Sequence, residues 1–237
     1  MAFECVSRTD VGLRRKVNED SFLVRTDRGL WAVADGMGGH DAGDVASAKV
    51  AEALQRLPIV YGLDQMVEAA VEALQRVNRE LIALAGTAGS NRTIGSTVVG
   101  LGISGGQYRC FWAGDSRAYR LRDGEILPLS KDHSLVQSLV DAGMLEPEEA
   151  INHPNASVIT RAIGVADDLK IEVSSGDANP GDQFVLASDG LTRLVDDQEI
   201  AAVLGARSPA EAADLLVDAV LARGAPDNVT IVIVKVT

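Results

Sequence analysis

The stretch DSFLVRTDRGLWAVADGMGGH, residues 20–40, decides how the rest of the chain is read. Asp20 opens the run Ser21-Phe22-Leu23-Val24. Leu30-Trp31-Ala32-Val33-Ala34 is a second strand-length run, closed by Asp35 and followed by the glycine-rich turn Gly36-Met37-Gly38-Gly39. Between them, Thr26-Asp27-Arg28-Gly29 has the composition of a hairpin connection. If the two runs pair antiparallel about that connection, residue 20 falls opposite residue 35, and both carboxylates lie at one sheet edge. Two later aspartates occupy similar places. Asp189 closes Phe184-Val185-Leu186-Ala187-Ser188 and precedes Gly190; Asp227, beside Asn228, opens an apolar run over 229–234. Those two share an edge if their strands are antiparallel, which the sequence allows without requiring it. Carboxylates at strand ends, next to glycines that let the backbone come close, suit a site for a hard divalent cation.

Outward from this stretch, strands are expected at 2–9, 21–25 and 30–35. Apolar residues at spacings of three and four then predict a helix over about 42–57, with Val50, Leu54 and Leu57 on one face. A second helix over about 63–85 carries the stripe Met66, Ala70, Leu74, Val77, Leu81 and Leu84. Strands follow at about 94–104, 107–113 and 116–122, with Gly105-Gly106 as a two-residue hairpin turn. From 131 to 164 the pattern is irregular, with helical pieces at 134–142 and 147–151; such an excursion is often functional. Strands resume near 169–174 and 182–188. Asp196 with Glu199 marks a helix ending near Gly205. Ser208-Pro209-Ala210-Glu211 starts another, running to about Ala222, with serine at the N-cap, proline at N1 and glutamate at N3. A last strand covers 228–236. The order does not alternate βαβα, which argues against a Rossmann-type parallel sheet. Antiparallel sheets covered by helix pairs fit better, in a single domain over 1–237 with a flap-like insertion at about 131–164.

The chain of 237 residues is 46% apolar, long enough for a substantial core. Its longest apolar stretches fall far short of the ~20 residues of a membrane helix. Glu4, Arg8 and Asp10 interrupt any signal-peptide core, so a cytoplasmic protein is expected. The net charge of −12 disfavours nonspecific binding to nucleic acid or to an anionic membrane. It also means that an anionic substrate would be repelled unless cations or a placed arginine reverse the local field. Cys5 and Cys110 lie in apolar, strand-like segments and read as small buried residues, and no CxxC or Cys/His cluster argues for zinc.

Each candidate has a plainer reading beside the chemical one. Asp35-Gly36 alone is best read as a turn; as ligands, the carboxylate could bridge two cations and the Gly36 carbonyl could add a further oxygen. Three glycines in four residues make a simple turn the poorer explanation. Arg15 either belongs to a solvated basic cluster, Arg14-Arg15-Lys16, or forks two oxygens of a phosphate. Asp115, in Gly114-Asp115-Ser116-Arg117, reads by itself as a hairpin turn. His40 follows the glycine-rich turn and is either a surface histidine or a proton donor to a leaving group. There is no Walker-type loop, HExxH, EF-hand loop or GxSxG.

Taken in order, Arg15-x-x-Asn18-Glu19-Asp20, Asp35-Gly36-Met37-Gly38-Gly39, Gly95-Ser96-Thr97, Gly114-Asp115-Ser116-Arg117, Ser188-Asp189-Gly190 and Asp227-Asn228 span nearly the whole chain. This set resembles the PP2C-like, metal-dependent serine/threonine protein phosphatases, and most closely their compact bacterial branch. The resemblance implies an α+β fold, a four-layer αββα sandwich of two antiparallel sheets flanked by helix pairs. It implies that Asp35 bridges two Mn²⁺ or Mg²⁺ ions, that the Gly36 carbonyl binds one of them, and that Asp189 and Asp227 bind the other. Glu19 and Asp20 would hold metal-bound waters. Asp115, with Asp189, matches the position of a third, weaker ion in bacterial relatives. Segment 131–164, whose closing part contains Arg161, corresponds to the family's variable flap. Eukaryotic members carry a histidine directly after the Asp-Gly pair as general acid; here Met37 stands there, as in bacterial members, and the nearest histidine is His40.

The implied reaction is hydrolysis of phosphoserine or phosphothreonine on proteins by a metal-bridging hydroxide, with Arg15 orienting the phosphate. The implied role is to oppose a bacterial serine/threonine kinase, with the kinase itself or a forkhead-associated-domain protein as substrate, and the protein is expected to be a monomer. Rivals stand beside it: a phosphatase of small phosphorylated metabolites or another metal hydrolase, and a binding module that reads phosphoproteins without turnover.

Overall fold

Alternation along the strands sorts the apolar residues into three buried layers. In β3 (Leu30–Gly38), Trp31 and Val33 face one way and Leu30, Ala32 and Ala34 the other. The first pair joins the layer between two sheets, and the second set packs under helices. The computed structural model describes residues 1–38, 42–87, 93–150 and 153–237. Around β3 the chain forms β1 (Phe3–Asp10), β2 (Asp20–Arg25), α1 (Gly43–Gln55), α2 (Leu63–Thr87), β4 (Ile94–Ser96), β5 (Val98–Ser104), β6 (Gln107–Ala113), β7 (Arg117–Arg122) and β8 (Glu125–Pro128). Then come α3 (Leu135–Asp141), α4 (Pro147–Ala150), β9 (Glu172–Asp177), β10 (Gln183–Ala187), α5 (Asp189–Thr192), α6 (Asp197–Ala206), α7 (Pro209–Ala222) and β11 (Val229–Val236).

One sheet has the order β1-β11-β10-β7-β8; the other runs β2-β3-β5-β6-β9, with β4 pairing to β3. Every pairing is antiparallel. Phe184, Leu186, Val232 and Val234 meet Trp31, Val33, Val99 and Leu101 in the layer between the sheets. Helices α1 and α2 cover one outer face through Val50, Leu54, Leu74 and Leu81, and α5, α6 and α7 cover the other through Leu191, Ile200, Leu216 and Val220. The result is the expected αββα sandwich.

Helix starts follow the predicted chemistry. Ser208 and Glu211 form a reciprocal capping box at α7, and the Asp196 side chain accepts the Glu199 N–H at 2.8 Å. Elements differ from expectation in five places, one being the expected strand over 94–104, which is split at Thr97 into β4 and β5. Asp35 does not end its strand: β3 continues through Gly38 and pairs with β4 in the register it keeps with β5. Glycines 36 and 38 have no side chains to alternate, so the pattern hides the pairing. Strand β8 is an extra, mostly exposed edge strand, β9 lies at 172–177 rather than 169–174, and α5 begins at Asp189.

Candidate metal centre

The hairpin pairing places Asp20 directly opposite Asp35. On the other side of β3, Thr97 sits between β4 and β5. Its hydroxyl accepts the Asp35 N–H at 3.0 Å, and its own N–H donates to the Asp35 carbonyl at 2.8 Å. The same hydroxyl lies 2.7 Å from that of Ser116, which ties β3 to the turn bearing Asp115. Asp35 shares the parity of Trp31 and Val33, so its carboxylate emerges at the open end of the layer between the sheets. The second sheet supplies the rest. Antiparallel pairing of β10 with β11 brings Asp189 and Asp227 to the same end. Ser188 donates its hydroxyl to Asp20 Oδ2 at 2.8 Å, binding the two sheets across the site.

Two glycines are required by close approach. A Cβ on Gly36 would lie 2.0 Å from the Gly43 carbonyl oxygen and 2.6 Å from that of Glu19, and one on Gly190 would lie 1.9 Å from the Asn228 carbonyl oxygen. Glu19 turns its carboxylate to the first turn of α1, where it accepts the Gly43 N–H. Arg15 rides on the loop between β1 and β2 and donates to Asp227 Oδ2 at 2.8 Å. One buried side chain closes that loop: Asn228 donates to the carbonyls of Val11 at 2.9 Å and Val17 at 3.1 Å and accepts the Glu19 N–H at 2.8 Å.

Five carboxylates therefore share one end of the sandwich, and burial opposes the charge of Asp20, Asp35, Asp115 and Asp189. Burial raises the Asp35 carboxyl well above its ordinary value, and the charges of Asp189, Asp20, Asp115 and Asp227 raise it further. Burial pushes Asp20 up to about 7 against the hydroxyls of Thr230 and Ser188, and lifts Asp115 to about 7 with help from Asp189. Asp189 is raised too, by burial, although Arg193 opposes the shift.

The donor set suits hard dications. It is all oxygen, it is crowded with negative charge, and Oδ1 of Asp20, Asp115 and Asp189 are buried without hydrogen-bond partners among the described residues. Among those residues no three acidic, His or Cys side chains are already closed around one point as a finished cage. Arginines hold several of the oxygens instead: Arg15 pairs with Asp227 at 2.8 Å, and Arg193 with Asp189 at 2.6 Å and Asp115 at 3.3 Å.

Of the candidates read from sequence, Arg15, Glu19, Asp20, Asp35, Gly36, Asp115, Asp189 and Asp227 meet at this end of the fold. His40 lies outside the described residues. The sequence reading missed Arg193, Ser188 and the loop-closing role of Asn228; the one available signal was the four-residue spacing of Asp189 and Arg193. His133 is also informative. It stacks on Trp112, its Nδ1 accepts the Gly114 N–H at 3.1 Å, and its Nε2 lies 2.9 Å from Arg161 Nη1. A residue of the 131–164 stretch is thus joined to the turn that carries Asp115.

Comparison with known proteins gives the family of the chain. The family model for protein phosphatase 2C matches residues 13–222. PppA, a key regulatory component of T6SS in Pseudomonas aeruginosa, superposes with a TM-score of 0.93 at 42% identity, covering 100% of this chain and 99% of that one. The catalytic domain of the serine/threonine protein phosphatase PstP in complex with two manganese ions superposes with a TM-score of 0.88 at 36% identity, covering 99% of each chain. The Mycobacterium tuberculosis serine/threonine protein phosphatase PstP is 38% identical over 97% of this chain, which spans 44% of that protein's length. The chain belongs to the protein phosphatase 2C family of metal-dependent serine/threonine protein phosphatases.

Proposed function

We propose that the protein hydrolyses phosphoserine and phosphothreonine on proteins with a pair of Mn²⁺ or Mg²⁺ ions. The observation that carries this reading is the crowd of aspartates around Asp35, where burial and the charges of Asp189, Asp20, Asp115 and Asp227 all raise its carboxyl. Asp35 is assigned as the ligand shared by both ions. The Gly36 carbonyl is assigned to one ion, and Asp189 and Asp227 to the other. Glu19 and Asp20 would hold metal-bound waters. When bound, the pair acidifies water and offsets the charge of the phosphoryl group.

The chain's own residues do the rest. Arg15 sits half-exposed at the lip and presents a planar fork to two phosphate oxygens. Ser188 and Thr97 fix the backbones and carboxylates of Asp20 and Asp35, so little reorganisation is needed at the moment of reaction. His40 is the proposed donor to the leaving oxygen. Residues 1–237 act as one catalytic domain, and segment 131–164 acts as the flap over the site.

Phosphoproteins of a bacterial serine/threonine kinase system are the proposed substrates, including the kinase itself or a forkhead-associated-domain protein. The likeness to PppA makes a phosphoprotein of T6SS regulation the first to try. No helix among the described residues is long and apolar enough to cross a membrane. We assign the protein to the cytoplasm as a monomer, without nucleic acid or membrane partners.

Phosphate release from a phosphothreonine peptide in Mn²⁺ tests the reading, with p-nitrophenyl phosphate and a panel of sugar phosphates alongside. Wild-type protein should act on the peptide in preference to the sugar phosphates, and Asp35→Asn should fall to background. A wild-type protein inert to every phosphate monoester would leave phosphoprotein binding as the function, and near-normal turnover by Asp35→Asn would remove its bridging role.

A further inference from the structure

Arg193 follows Asp189 by one helical turn and reaches two aspartates from different parts of the chain. Its Nη2 lies 2.6 Å from Asp189 Oδ2 and 3.3 Å from Asp115 Oδ2. Asp115 sits on the turn between β6 and β7 and is 4% exposed. Its other oxygen has no partner among the described residues, and neither does Oδ1 of Asp189. A guanidinium keeps its charge at any pH at which the protein folds. Arg193 is therefore a permanent cation fixed between two buried carboxylates, at the place where the resemblance expects a weak third ion.

A dication at that place would meet two obstacles. The guanidinium already holds Oδ2 of both aspartates. Its positive charge would also stand a few ångströms from the ion, and like charges at about 4–6 Å change a binding equilibrium tenfold or more.

We propose that Arg193 is a tethered cation that takes the place of a third divalent ion at Asp115 and Asp189, so that this chain binds two ions rather than three. The proposal rests on the two-ion reading above and goes beyond it. Arg193 is here a positioning residue: it neutralises Asp115 and holds the outer oxygen of Asp189 without touching the substrate.

Counting bound Mn²⁺ on the full chain tests this independently of turnover, by equilibrium dialysis and by the electron paramagnetic resonance signal of free Mn²⁺. Wild type should bind two ions, and Asp115→Asn should also bind two. Arg193→Gln should take up a third ion, or tighten the weakest site about tenfold or more. Adding Asp115→Asn to Arg193→Gln should abolish that gain, and Arg193→Lys, which keeps a charge, should stay at two ions.

The proposal is overturned by a third ion in the wild-type chain, by loss of an ion in Asp115→Asn alone, by wild-type counts and affinities in Arg193→Gln, or by a gain that survives in the double variant. The Asp115→Asn arm decides the matter even if Arg193→Gln does not fold. A wild-type chain that binds no Mn²⁺ would instead remove the two-ion reading, and this inference with it.

Discussion

Under the proposed function, Asp35 and Arg15 divide the work of the site between metal and phosphate. Asp35 is the most crowded of the carboxylates, with four others contributing to its resistance to ionisation. Arg15 pairs with Asp227 from an exposed loop and can exchange that carboxylate for a phosphate oxygen. A hydrogen bond to a charged group contributes about 1.5–3 kcal/mol. Arg15→Ala should therefore lower kcat/KM on a phosphopeptide by about ten- to a hundredfold, while Mn²⁺ binding is retained. An unchanged kcat/KM would return Arg15 to the solvated surface. The facing of Asp20 and Asp35 could be read from sequence because a hairpin connection and a period of two leave little choice of register. The Arg193–Asp115 contact could not, because it joins residues 78 apart with no periodic pattern between them.

At the level of elements, the loop between β1 and β2 is held by the side chain of a residue more than 200 positions away. Asn228 satisfies the Val11 and Val17 carbonyls and the Glu19 N–H at once, with 4% of its surface exposed. Asn228→Ala strands those groups, at a cost of about 1–3 kcal/mol. The midpoint of thermal unfolding should fall by about 2–4 °C for each kcal/mol lost. Freeing the loop that carries Arg15 should also raise KM for a phosphopeptide more than it lowers kcat. A thermal midpoint and KM both equal to wild type would show that the loop does not depend on this side chain. The long helices and inner strands are legible because one face of each is buried. The two edge strands β8 and β9 were missed or displaced, since strands that are mostly exposed need no apolar alternation. The extension of β3 was hidden by its glycines, and α5 is too short to have a period.

The whole molecule carries a net charge of −12, and its aspartates at the open end add local repulsion. Burial holds Asp20 and Asp115 at about 7, above their ordinary 3.8. The folded protein therefore binds more protons than the unfolded chain between about pH 4 and pH 7. These groups cost stability as pH rises through that window, and the cost is constant above it. Cations bind the deprotonated oxygens, so Mn²⁺ should raise the thermal midpoint more at about pH 8 than at about pH 5.5, relative to protein in chelator. An equal or smaller gain at the higher pH would mean that no carboxylate of this cluster gives up a proton when Mn²⁺ binds. The most direct measurement is an anomalous-difference map from crystals grown in Mn²⁺. The account predicts two peaks about 3.5–4 Å apart, both against the Asp35 carboxylate, one at the Gly36 carbonyl and the other between Asp189 and Asp227. A map with no peak at Asp35, or with Mn²⁺ bound only elsewhere, would contradict it.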